Sequence, residues 1–172
     1  MTGAVTRTIG AAVLGLLGGC VNASADAPPG ASPPPSAEAE IRYETGPRFG
    51  TCPVYALTIR PDGTARFEGK RFTAVTGTRA LTVGADAYRA FAARLAPYRP
   101  EGGEQLYQPG TPLCGPAATD MPSVDVVWHA ASGAVQHLNY YYGCRMEGND
   151  AMRSALRDAP DLLPIAELVG KR

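Results

Sequence analysis

The sequence predicts an α+β domain: an antiparallel sheet built from two hairpin regions, with two helices packed on one face. Three observations lead there. Tyr55, Leu57 and Ile59 alternate with Ala56, Thr58 and Arg60, and beyond Pro61-Asp62-Gly63 the alternation resumes as Ala65 and Phe67 against Arg66 and Glu68. A period of two with one apolar face marks a half-buried strand, and Asp-Gly marks a hairpin because both residues tolerate positive φ. Residues 123–129 and 135–142 repeat the pattern about Ser132-Gly133. Two other stretches, one opening near Asp86 and one at Asn149, space their apolar residues at helical intervals instead.

Taken in order, residues 41–45 read as a short first strand with Ile41 and Tyr43 on one face, broken by Gly46-Pro47. The first hairpin follows, then an irregular stretch over 71–77 and a fourth strand over 78–83 with Leu81 and Val83 facing in. Gly84-Ala85-Asp86 opens a helix, the acid suiting its positive N-terminal end. Tyr88, Phe91 and Leu95 form its apolar face, and Pro97 ends it. Residues 100–122 read as a long loop rich in proline and glycine; a structureless segment of that length is functional or tied down. In the second hairpin a two-residue turn at Ser132-Gly133 would put Val124 opposite Tyr141, Trp128 opposite His137 and His129 opposite Gln136. Asn149 caps a helix carrying Met152 and Leu156, and a short helical segment with Leu163, Leu168 and Val169 follows Pro160.

The N-terminus reads differently. Arg7 precedes an apolar run over residues 9–17, which ends Leu17-Gly18-Gly19-Cys20. A positive start and a short apolar core make a secretory signal, too short to remain as a membrane-spanning helix. Its end resembles a bacterial lipobox, so residues 1–20 are expected to be a lipoprotein signal peptide with Cys20 as the acylated residue. Val21 after the cysteine implies, by the same resemblance, the periplasmic face of the outer membrane. Ala23-Ser24-Ala25 offers the alternative, cleavage at Ala25 to give a soluble periplasmic or secreted protein. Residues 21–40, rich in Ala, Ser and Pro, are expected to be a disordered tether, and residues 41–172 a single domain. The chain carries 16 Lys and Arg against 16 Asp and Glu, so bulk charge gives no reason to expect nucleic acid. The expected partners are the membrane, through the acyl anchor, and another envelope protein or a glycan.

With Cys20 acylated, Cys52, Cys114 and Cys144 remain. Export to an oxidising compartment makes one disulfide the default. Three pairings are open, and we expect Cys114 with Cys144, which would pin the long loop to the end of the second hairpin and leave Cys52 free. Cys52 is then a candidate nucleophile or redox thiol, set against a buried structural thiol. Asp120, with Asp125 five residues on, is a candidate acid or base, set against a simple turn cap before Pro122. In the expected register His129 and His137 point to opposite faces, and there is neither a C-x-x-C nor an H-x-x-x-H spacing; no metal and no cofactor are expected. Tyr140-Tyr141-Tyr142 with Trp128 is the clearest aromatic cluster. Trp128, Tyr140 and Tyr142 are candidate binding residues, set against burial of the same side chains under a helix or the loop.

Residues 46–70, reading Phe-Gly-Thr-Cys-Pro-Val-Tyr and then Pro-Asp-Gly, together with Thr119-Asp120-Met121-Pro122 and residues 140–144, resemble the DUF6438 domain family of bacterial exported proteins and lipoproteins. The resemblance runs from Ile41 to the C-terminus and implies no established activity. Relatives often carry a cysteine where this chain has Arg48, which leaves an odd number of thiols here. The expected function is therefore a cell-envelope lipoprotein that serves as a binding or structural module. The alternative is a thiol- or carboxylate-dependent enzyme or redox protein using Cys52 or Asp120.

Overall fold

Period-two alternation resolves into a seven-stranded sheet in the computed structural model, which describes residues 38–48 and 50–170. The strands are β1 (Glu38–Thr45), β2 (Val54–Ile59), β3 (Thr64–Arg71), β4 (Gly77–Thr82), β5 (Glu104–Tyr107), β6 (Ser123–Ala130) and β7 (Val135–Tyr141). The helices are α1 (Ala85–Leu95), α2 (Asp150–Asp158) and α3 (Ala166–Val169). The spatial order is β4-β3-β2-β1-β6-β7-β5. β1 is central and antiparallel to both β2 and β6, so it welds the two hairpins into one sheet. It also begins at Glu38, inside the stretch expected to be tether.

Two expectations are corrected here. The sheet is mixed, because β5 runs parallel to β7 with Leu106 opposite Asn139 and Tyr107 opposite Tyr140. This strand lies inside the segment read as a loop. The second correction is register. Ala130 N–H donates to the Ala134 carbonyl at 2.8 Å, Gly133 N–H donates to the Ala130 carbonyl at 2.9 Å, and Gly133 sits at φ 89°. That is a three-residue loop closed by a left-handed glycine, one residue longer than the expected turn. The first hairpin closes the same way, with Arg60 N–H to the Thr64 carbonyl at 2.9 Å and Gly63 at φ 83°. The extra residue slides β7 by one, so Val124 faces Tyr140, Trp128 faces Gln136 and His137 faces Val127. A slip of one turns every side chain to the other face.

The core follows from that register. Ile41 and Tyr43, Leu57 and Ile59, Phe67, Val126 and Trp128, and Leu138 and Tyr140 share the inner face and are almost fully buried. Both longer helices lie on it. Phe91 of α1 meets the Tyr43 ring edge-on at a centroid distance of 6.0 Å, and the Tyr43 hydroxyl donates to the Leu156 carbonyl of α2 at 2.9 Å. One tyrosine of the central strand thus ties sheet, α1 and α2 together. Burying a side chain such as Phe91 contributes about 2–3 kcal/mol. Asn149 stands at the N-cap of α2 but makes no side-chain capping bond.

The sheet's other face is polar. Glu44 takes ion pairs from Arg42 and Lys70, which outweigh the cost of its partial burial and hold its carboxyl below the usual range. Gly69 of β3 sits under the returning 72–76 segment so closely that a Cβ there would lie 1.9 Å from the Val75 carbonyl oxygen.

Candidate functional site

Where β1 ends and β2 and β6 begin, the chain turns through Gly46-Pro47, and glycine is required there. A Cβ on Gly46 would fall 2.0 Å from the Ser123 hydroxyl, and its N–H donates to the Ser123 carbonyl at 2.8 Å. Thr45 then holds the opposite side, its hydroxyl accepting from Tyr55 N–H at 3.0 Å and donating to the Pro53 carbonyl at 3.1 Å. The Tyr142 N–H donates to the Pro122 carbonyl at 2.9 Å. These bonds frame an apolar cleft of about 140 Å³ with Cys52, Pro53, Tyr55, Pro122 and Tyr142 in its walls. Cys52 is a free thiol, half-buried.

A second cleft of about 210 Å³ adjoins it, sharing Pro122, Tyr142 and Arg157 and adding Arg48 and Arg153. Arg153 and Arg157 stand four residues apart on α2, so one helix face presents two like charges side by side. Such pairs cost a helix a few tenths of a kcal/mol. Arg157 spends its Nε on Asp158 at 2.8 Å, whereas Arg48 and half-buried Arg153 meet no carboxylate among the described residues. Tyr142 is 9% exposed. Burial drives its phenol pKa well upward and the neighbouring Arg157 pulls it back in part, so the hydroxyl keeps its proton. It has no hydrogen-bond partner among the described residues. Thr73 Oγ1 is the one sealed, unpartnered side-chain oxygen among them, so the Tyr142 hydroxyl is not sealed from solvent.

The residues singled out from the sequence are distributed unevenly. Cys52 and Arg48 reach this end of the sheet, in adjoining clefts. Asp120 does not line either one; it is exposed, in a left-handed turn at φ 59°. Asp125 is on the polar face, accepting from Asn139 Nδ2 at 3.0 Å and facing His137 Nε2 at 2.8 Å. Trp128 and Tyr140 are 1% exposed and belong to the core, so the aromatic surface patch expected from them is corrected. For Tyr140 the register slip is the cause: it turns Tyr140 inward onto the face of Val124, Val126 and Trp128 and sends Tyr141 outward, where its hydroxyl donates to the Ala118 carbonyl at 2.9 Å. Tyr142 keeps a wall on the cleft beside Cys52, and Tyr140 borders a separate cleft with Asp150 and Arg153.

A disulfide joins Cys114 to Cys144 with their Cα atoms 4.8 Å apart. Backbone bonds flank it, Ala118 N–H to the Gly143 carbonyl at 2.9 Å and Arg145 N–H to the Pro116 carbonyl at 3.0 Å. Cys20 and its acylation lie outside the described residues.

Two features escaped the sequence reading. One is the Arg153/Arg157 pair, for which the signal was a like-charge pair at helical spacing. The other is His137, whose second ring nitrogen, Nδ1, lies 3.3 Å from Glu104 of the unforeseen strand β5. Desolvation lowers its pKa, but the hydrogen bonds to Asp125 and Glu104 overcome it and the net shift is upward. His129 and His137 also share the polar face, opposite to the expectation, because the corrected register turns His137 to the side of Val127 and His129.

No curated protein matches the chain. The profile of the family described as Domain of unknown function (DUF6438) matches residues 39–163, which takes in all seven strands but for Glu38 at the start of β1, with α1 and α2. The chain belongs to the DUF6438 family.

Proposed function

We propose that this protein is an exported lipoprotein of the cell envelope, held to the membrane through acylated Cys20, whose domain binds another envelope component at the Cys52 end of the sheet. The binding half rests on one observation: two adjoining clefts at this end of the sheet share Tyr142 as a wall, and the apolar one opens beside the free thiol of Cys52. Folding alone does not favour the Arg153/Arg157 pair on the rim of these clefts, since like charges four residues apart on a helix repel. A ligand that supplies negative charge would offset the repulsion. Export is supported by the Cys114–Cys144 disulfide, a bond that persists in oxidising compartments. Labelled palmitate should enter the chain and be lost in Cys20→Ala, with the wild type recovered in the membrane fraction. Cleavage after Ala25 with no palmitate incorporated would refute the anchor.

Thiol chemistry at Cys52 is the second reading, favoured by its place as a half-exposed wall of the apolar cleft. It requires alkylation of Cys52 in the native protein faster than that of a free thiol in solution. Alkylation at or below that rate would leave Cys52 as cleft lining.

A further inference from the structure

We infer that the open edge of the sheet, strand β4, pairs antiparallel with β4 of a second copy of this chain, in a register centred on Ala80. The two edges of the sheet are finished differently. On the β5 side the following loop turns back, and the Thr111 hydroxyl donates to the Leu106 carbonyl at 2.8 Å. β4 runs beside β3 without a bulge, carries no proline or lysine, and is mostly exposed. It thus lacks the devices that keep an edge from pairing. Val83 N–H donates to the directly opposite Gly63 carbonyl at 2.8 Å. By the alternation of an antiparallel ladder, Gly77, Arg79 and Leu81 then turn their backbone groups to β3, and Thr78, Ala80 and Thr82 turn theirs outward.

Self-complementarity selects both the partner and the register. Centred on Ala80, the pairing sets Ala80 against itself, Thr78 against Thr82 and Arg79 against Leu81, and it uses every outward N–H and C=O of both strands. Centred on Arg79 it would oppose two guanidinium groups, and centred on Leu81 it would set Thr78 against Gly84, beyond the strand. Charge adds to the backbone bonds. Arg79 and Leu81 lie opposite Phe67 and Ala65, both buried, so their side chains share the face that carries the helices. There Leu81 and Thr82 border a hollow with Pro164, Ala166, Glu167 and Leu168. The second copy's Arg79, opposite Leu81, comes to the hollow bordered by Glu167, and two-fold symmetry makes that meeting twice. Neither Arg79 nor Glu167 has an ion-pair partner among the described residues. In the single copy Arg79 Nη1 donates to the Thr78 carbonyl at 2.9 Å; moving to Glu167 it frees that carbonyl for Thr82 N–H of the second copy.

The test is sedimentation equilibrium of the full-length protein in density-matched detergent micelles. The wild type should pass from monomer to dimer between about 1 and 100 μM. Arg79→Glu should weaken the dimer about tenfold, and Arg79→Glu with Glu167→Arg should return it to within about threefold of wild type, a recovery that a misfolded variant cannot show. Cysteines read the register. In the Cys52→Ser background, Ala80→Cys should give a diamide-induced disulfide dimer well above the level of the parent. Directly opposed Cα atoms of a hydrogen-bonded pair stand about 5.5 Å apart, inside the range a disulfide spans. Thr78→Cys alone should stay at the parent's level, and Thr78→Cys mixed with Thr82→Cys should cross-link. A monomer at all these concentrations, a dimer that Arg79→Glu leaves unchanged or that the charge swap fails to restore, or equal cross-linking of Ala80→Cys and Thr78→Cys would overturn the inference. The partner on this edge is the chain itself, distinct from the envelope component proposed for the Cys52 end.

Discussion

Removing the disulfide should cost the domain more stability than any single buried side chain at this end of the fold. The bond closes a loop with a sequence separation of 30. For a loop of that size the chain-entropy relation gives about 12 cal/mol/K, or about 3.7 kcal/mol at 25 °C. Unfolding entropy near 60 °C is about 2.1 cal/mol/K per residue, so about 130 ordered residues give roughly 0.28 kcal/mol/K and a fall in Tm of about 13 °C. The Cys114→Ala/Cys144→Ala double variant leaves no orphan thiol, and thermal unfolding followed by circular dichroism measures the loss. Proteolysis should reach residues 108–122 first, because short backbone bonds to residues 143–145 are then the main ties on that loop. Reduction of the wild type should reproduce the shift. A fall below about 4 °C would show that the loop is held by its backbone bonds and that the cross-link scarcely constrains the unfolded chain.

Gly69→Ala should destabilise by about 1–3 kcal/mol in urea titration, since its Cβ would meet the Val75 carbonyl oxygen and force the 72–76 segment away from β3. Tyr43→Phe keeps the ring contacts and loses the bond to the Leu156 carbonyl, so it should cost about 1 kcal/mol, with α2 amides exchanging faster. His137 has a folded pKa raised above its ordinary value of 6.5. Its contribution is therefore fully present below that value and lost as pH rises through the folded value. Stability should decline by a few tenths of a kcal/mol over that window and His137→Gln should flatten the decline, read from urea midpoints across pH.

What the sequence showed was local. Alternation in residues 55–59 and 65–67 placed Leu57, Ile59 and Phe67 on one face, and the structure buries all three. Helical spacing of Tyr88, Phe91 and Leu95 named the buried face of α1. Register was less legible, because Ser132-Gly133 suits both a two-residue turn and the three-residue loop that forms, and only the paired strands decide between them. That single residue misplaced Tyr140, Tyr141 and His137. Strand β5 was hidden for another reason: Glu-Gln-Leu-Tyr is too short to show a period, and it is held by long-range parallel pairing with β7. The site was half visible. Cys52 and Arg48 stood out in the loop before β2, but Arg153 and Arg157 come from α2, about a hundred residues later, and only the folded chain brings them beside Tyr142.

The central claim is that the Cys52 end of the sheet is the face that binds. Cys52 itself provides the handle: a maleimide–diazirine crosslinker attached there in intact cells and activated by light. The account predicts one discrete envelope component captured from Cys52, lost on Arg153→Gln, and absent when the crosslinker is moved to Ala80→Cys on exposed edge strand β4 with Cys52 replaced by Ser. Equal capture from both positions, or capture from Cys52 that Arg153→Gln leaves unchanged, would contradict it.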